Sequence, residues 1–80
     1  MDLIRIGSFL AELRHEKGLT QQALGERLGV TNKTISRWET GCYLPDVEML
    51  SLLSREFGVS INELVAGERL FAGGFQKSRR

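Results

Sequence analysis

The stretch Thr20–Gly41, TQQALGERLGVTNKTISRWETG, decides the fold, because two short helical patterns meet in it across a very short connection. Thr20 offers a capping oxygen to a helix over Gln21–Leu28, with Ala23, Leu24 and Leu28 as its apolar stripe. Gly29 can take the left-handed backbone that stops it. Thr31 then caps a helix over Asn32–Thr40 that Gly41 ends. Only Gly29, Val30 and Thr31 separate the two. A link that tight sets the helices steeply across one another, so that one of them can project from the body.

Working outward, the residues before this stretch predict a first helix over Leu3–Lys17. Asp2 is its N-cap, Ile6, Phe9, Leu10 and Leu13 share one face, and Gly18 is the C-cap. After the loop Gly41–Leu44, Pro45 and Asp46 open a fourth helix, either of them able to start it. Its apolar stripe is Val47, Leu50, Leu53 and Phe57, with Gly58 as the stop. Ser60 and Glu63 form a capping box ahead of Leu64 and Val65, and Gly67 closes this fifth helix. No run alternates with period two for long enough to make a strand. The fold class is therefore all-α, with five helices and a helix-turn-helix at helices two and three.

A chain of 80 residues has room for a single hydrophobic core, and an apolar share of 41% is enough to build one. The domain is expected over 1–67. Residues 68–80 read as a tail, flexible or the start of a longer region, in which Leu70, Phe71 and Phe75 have no evident place in the bundle. Cys42 stands alone, so no internal disulfide forms, and no cluster at metal-ligand spacing surrounds it; neither a metal nor another cofactor is expected. With no leader pattern and no apolar run near the roughly 20 residues that span a bilayer, a cytoplasmic, membrane-free protein is expected.

A net charge of +1 is modest for a chain that meets phosphates, but its distribution is uneven. Asp46, Glu48, Glu56 and Glu63 face Arg55 alone between Gly41 and Ala66, whereas Arg69, Lys77, Arg79 and Arg80 oppose Glu68 in the tail. If the acidic helices turn away, a locally positive face remains possible. On the third helix Ile35 and Trp38 fall three apart and point inward, leaving Asn32, Lys33, Ser36 and Arg37 on the opposite side. These side chains suit base edges. Arginine can offer two donors to guanine O6 and N7, asparagine can pair with adenine N6 and N7, and lysine reaches guanine or phosphate.

The segments LTQQALGERLGVTNKTISRWETG and LPDVEMLSLLSREFGVSINELVAGE together resemble the XRE-type, phage Cro and repressor-like helix-turn-helix domain, over about Ile6–Gly67. The resemblance implies a five-helix, lambda-repressor-like DNA-binding domain. It implies that Gln21 bonds a backbone phosphate and braces the recognition helix. Base contacts fall at Asn32, Lys33 and Arg37, with Thr31 and Ser36 nearby, and Thr40 with the following loop approaches phosphate. It further implies a structural ion pair between Arg14 and Glu39, and a homodimer that reads an inverted repeat in double-stranded operator DNA to regulate transcription, by repression above all. Two departures stand out. Cys42 and Tyr43 replace the usual polar or basic residues after Gly41, which weakens the case for phosphate contacts there. Gly25 replaces a common alanine, so either helices one and three approach closely at that point or the helix is weakened by about 1 kcal/mol.

Simpler readings compete at several positions. Trp38 is a core residue by its spacing with Ile35, His15 is a surface histidine in a charged segment, and Cys42 is an inert thiol with no base beside it. No nucleophile elbow, phosphate loop or catalytic carboxylate pair is present, so no catalytic residue is assigned. The alternative that remains is an antitoxin or protein-interaction module built on the same bundle.

Overall fold

The computed structural model describes residues 1–70, and Phe71, Phe75, Lys77, Arg79 and Arg80 of the expected tail lie outside the described residues. Five helices follow one another: α1 (Leu3–Glu16), α2 (Gln21–Leu28), α3 (Asn32–Glu39), α4 (Val47–Phe57) and α5 (Ile61–Ala66). No strand occurs among the described residues, and no helix there is long and apolar enough to cross a membrane.

Each helix begins at a side chain that accepts a hydrogen bond from an otherwise orphaned backbone N–H three residues on: Asp2, Thr20, Thr31, Asp46 and Ser60. Ser60 and Glu63 complete a reciprocal capping box. Between Pro45 and Asp46, it is Asp46 that caps α4, accepting from the Met49 N–H at 2.9 Å, while Pro45 is buried. Asp46→Ala is expected to lower stability by about 1 kcal/mol, and the melting temperature by about 4–8 °C. Thermal unfolding followed by circular dichroism checks this, and an unchanged midpoint would deny the cap its role.

The ends of the helices differ slightly from expectation. The cap of α1 is Lys17, one residue before Gly18, and Thr40 is the cap of α3 rather than its last helical residue. At the α2–α3 turn Gly29 adopts φ of 80°, which lets its own N–H and that of Val30 both reach the Gly25 carbonyl, at 2.8 and 2.9 Å.

The core gathers Ile6, Phe9, Leu10 and Leu13 of α1, Leu24 and Leu28 of α2, Ile35 and Trp38 of α3, Leu50 and Leu53 of α4, then Val59 and Leu64. Two stripe assignments need correction. Val47 is 78% exposed, and Ala23 is only half-buried. Leu50, Leu53 and Phe57 share a centre on α4 from which Val47 is rotated by roughly 90° at 100° per residue, so it falls at the wet rim.

Helix α1 packs on both α3 and α5, while α2 packs mainly on α3 and α4 on α5 and α2. Gly7 is what lets α1 approach α3: a Cβ there would lie 2.6 Å from the Glu39 carbonyl oxygen. Gly25 answers a different need. A Cβ would lie 2.6 Å from the Val30 carbonyl oxygen, so the close approach is to the turn that follows α2, not between α1 and α3.

Candidate nucleic-acid interface

Helix α3 is mounted from one side by Ile35 and Trp38, both buried. Its other side is open. Asn32, Lys33 and Arg37 are exposed and Ser36 is half-buried. The side chains of Asn32, Lys33 and Arg37 form no hydrogen bond or ion pair among the described residues.

That freedom is selective. Arg5 pairs with Glu68, Arg14 with Glu39, Lys17 and Arg27 with Glu56, and Arg69 with Glu16. Among the described lysines and arginines, only Lys33, Arg37 and Arg55 keep an unpaired charge, and two of these three lie on the outer face of α3. Among the described residues, two of the three unpaired cations thus fall on one helix, because the others are held in intramolecular ion pairs.

The orientation of α3 is held by charge as well as by packing. Arg14 clasps Glu39 in a two-point bond, Nε to Oε2 at 2.7 Å and the second terminal nitrogen to Oε1 at 3.0 Å. Its remaining terminal nitrogen donates to the Leu19 carbonyl at 2.8 Å. Both side chains are about nine-tenths withdrawn from water. The carboxylate of Glu39, hydrogen-bonded to the guanidinium, raises the Arg14 pKa above its ordinary value. Gln21 Nε2 donates to Glu39 Oε1 at 3.0 Å, so the start of α2 is tied to the end of α3. One amide hydrogen of Gln21 is used in this way; the other remains for an outside acceptor.

The two threonines stand differently from the rest of the face. Thr31 Oγ1 accepts from the Thr34 N–H at 3.2 Å as the cap of α3. Thr40 Oγ1 donates to the Ser36 carbonyl at 2.9 Å, and the Thr40 N–H bonds the same oxygen. A phosphate at Thr40 therefore has to displace one of those bonds. Beyond it, Cys42 and Tyr43 are exposed, with Cys42 Sγ 3.6 Å from Thr40 Oγ1.

One surface feature beside the helix-turn-helix was not singled out from the sequence. Gln22 and Glu26 on α2 face Val30, Thr31 and Asn32 across a cleft of about 270 Å³ beside the start of α3. The signal was the exposed i, i+4 spacing of Gln22 and Glu26, which points both to the same side as the turn.

With this geometry in view, likeness to known proteins becomes informative. A family model described as helix-turn-helix matches residues 10–64. The HTH-type transcriptional activator BcrR of Enterococcus faecalis is 46% identical over 61 residues, which are 76% of this chain and 30% of that protein. The HTH-type transcriptional regulator y4dJ of Sinorhizobium fredii is 43% identical over 60 residues, covering 75% of this chain and 78% of that protein. Among solved structures, the restriction-modification controller protein C.AhdI from Aeromonas hydrophila superposes with a TM-score of 0.71 at 28% identity, covering 79% of this chain and 96% of that one. The chain spans less than half the length of several curated relatives it matches.

Proposed function

Because the chain belongs to the helix-turn-helix family, we propose that it is a sequence-specific regulator of transcription that lays α3 in the major groove of double-stranded DNA. The observation that carries this reading is the outer face of α3, where Asn32, Lys33 and Arg37 are exposed and unpartnered while every other described lysine and arginine except Arg55 is tied up in an ion pair. In the complex Asn32 and Arg37 read base edges, Lys33 and Ser36 lie alongside, and Gln21 extends its second amide hydrogen to a phosphate. Thr31 and Thr40 flank the contact. No catalytic step is involved.

Two copies related by a two-fold axis would place α3 in successive major grooves and read half-sites about 10 base pairs apart. A cytoplasmic location is part of the same proposal. Occupying a promoter is sufficient to repress it, and repression is the sign we assign to the domain by itself. BcrR is named an activator, but most of its length lies outside the matched stretch.

Selection from a random duplex pool tests the proposal, with a short inverted repeat as the expected product. Weak binding with steep salt dependence and no enriched sequence would instead support a protein-interaction module or antitoxin. On the selected duplex, Arg37→Ala and Asn32→Ala should each weaken binding by about 1–3 kcal/mol, with little change on random DNA. Gln21→Ala should weaken both to a similar degree. Fluorescence anisotropy on the two duplexes separates these cases: equal losses for Arg37→Ala would remove its base-reading role.

A further inference from the structure

Beyond α5 the chain is drawn back onto α1. Gly67 lies so near Arg5 that a Cβ there would meet Arg5 Cγ at 2.7 Å and the Arg5 carbonyl oxygen at 3.2 Å. The next three residues are each tied to a charged side chain. Glu68 Oε1 accepts from Arg5 at 2.5 Å, Arg69 forks onto the two carboxylate oxygens of Glu16 at 2.6 and 3.2 Å, and the Leu70 N–H donates to Glu63 Oε2 at 3.0 Å. Glu63 serves twice, since its Oε1 accepts from the Ser60 N–H in the capping box of α5. Glu12 and Glu63 add their charge to that of Glu16 around Arg69, whose guanidinium holds the Glu16 carboxyl below the usual carboxylate range, chiefly through their hydrogen bond. The position of these contacts is specific. At 100° per residue Arg5, Glu12 and Glu16 fall roughly 140–180° around α1 from Gly7, the point at which α1 meets the end of α3.

We propose that residues 67–70 are a charge-held strap, fastened by Arg5, Glu16 and Glu63 to the face of α1 remote from α3, which opens and closes while the five helices stay folded. Closed, it makes whatever is joined after Leu70 depart from the side of the domain opposite the contact with α3. This does not depend on what α3 binds. The anchoring side chains Arg5, Glu16, Glu68 and Arg69 are about half exposed, and a single pair of that kind holds little. Here a two-point fork, a second pair and a backbone bond act on three consecutive residues, so they hold together or release together. Nothing from the apolar core is fastened in the strap, since Leu70 is exposed, and opening it therefore leaves the bundle intact. The forces that close it are mainly those that salt screens.

The test uses the full 80-residue chain and two readouts. Hydrogen exchange of the Leu70 amide, followed by NMR, reports the bond to Glu63. Trypsin cleavage after Arg69 reports release of its side chain from Glu16, while cleavage after Arg37, inside α3, requires unfolding of the domain. Glu16→Gln leaves the cleaved sequence unaltered and should speed both the Leu70 exchange and the cleavage after Arg69 by about threefold to fivefold. Cleavage after Arg37 should stay as it was. Raising sodium chloride from about 0.05 to 0.5 M should have a similar effect on the original chain and a smaller one on Glu16→Gln. In an Arg69→Gln background, Glu16→Gln should no longer accelerate the Leu70 exchange, because the partner is already gone. Unchanged exchange and cleavage in Glu16→Gln would overturn the strap, and so would an equal acceleration with and without Arg69. If cleavage after Arg37 rises in step with that after Arg69, the segment opens only with the whole fold and the proposal fails.

Discussion

Glu39→Gln is expected to destabilise the domain by about 3–5 kcal/mol, since it leaves the buried Arg14 guanidinium facing a neutral amide. For 80 residues the whole folding free energy is only about 4–12 kcal/mol, so this single change brings the protein close to unfolding at ordinary temperature. The loss exceeds that of an exposed ion pair because water cannot replace the missing charge. Three bonds onto the Glu39 carboxylate are affected together, two from Arg14 and one from Gln21. Urea unfolding followed by Trp38 fluorescence measures the effect. Pairing Arg14→Met with Glu39→Leu should cost less than either polar truncation alone, because no unpaired charge stays inside. A loss below about 1 kcal/mol for Glu39→Gln would show that the pair is effectively solvated.

Gly7→Ala is the second large effect. Alanine favours a helix interior by about 1 kcal/mol over glycine, so on propensity alone the variant should be more stable. Contact with α3 reverses the sign. The new methyl would sit 2.6 Å from the Glu39 carbonyl oxygen and 2.8 Å from its carbon, and backbone atoms yield only if the helices separate. Overpacking of backbone against backbone sits at the upper end of about 1–3 kcal/mol, so after the propensity gain a net loss of up to about 2 kcal/mol is expected. Ser8→Ala, on the exposed neighbour, should change stability by less than about 0.5 kcal/mol. Moving α3 outward also tilts its reading face. Affinity for the selected duplex should therefore fall even where Gly7→Ala remains fully folded, and an unaltered affinity would show that α3 tolerates the shift.

What could be read from the residues alone follows from the range of the physics involved. Helix starts are local: a capping side chain lies three residues from the N–H it satisfies, so Asp2, Thr20, Thr31 and Ser60 are evident in the sequence. The same holds for Ile35 and Trp38, whose spacing alone turns them inward. Val47 misled because an apolar residue in a first turn satisfies the count of a stripe without lying at its centre. The bond from Gln21 to Glu39 spans 18 residues and depends on how α2 crosses α3, which periodicity does not encode. The tying up of Lys17 and Arg27 by Glu56 is likewise tertiary, and it explains why a net charge of +1 understates how positive the outer face of α3 is. Gly25 had two explanations in the sequence, and only the position of the Val30 carbonyl chooses between them.

The packing of α1 against both α3 and α5 has a further consequence. Helices α3 and α5 both rest on α1. A displacement of α1 at Gly7, where it meets the end of α3, therefore bears on the seat of α5 as well. Substitutions along α1 that touch no DNA are therefore expected to change affinity for the selected duplex through the placement of α3.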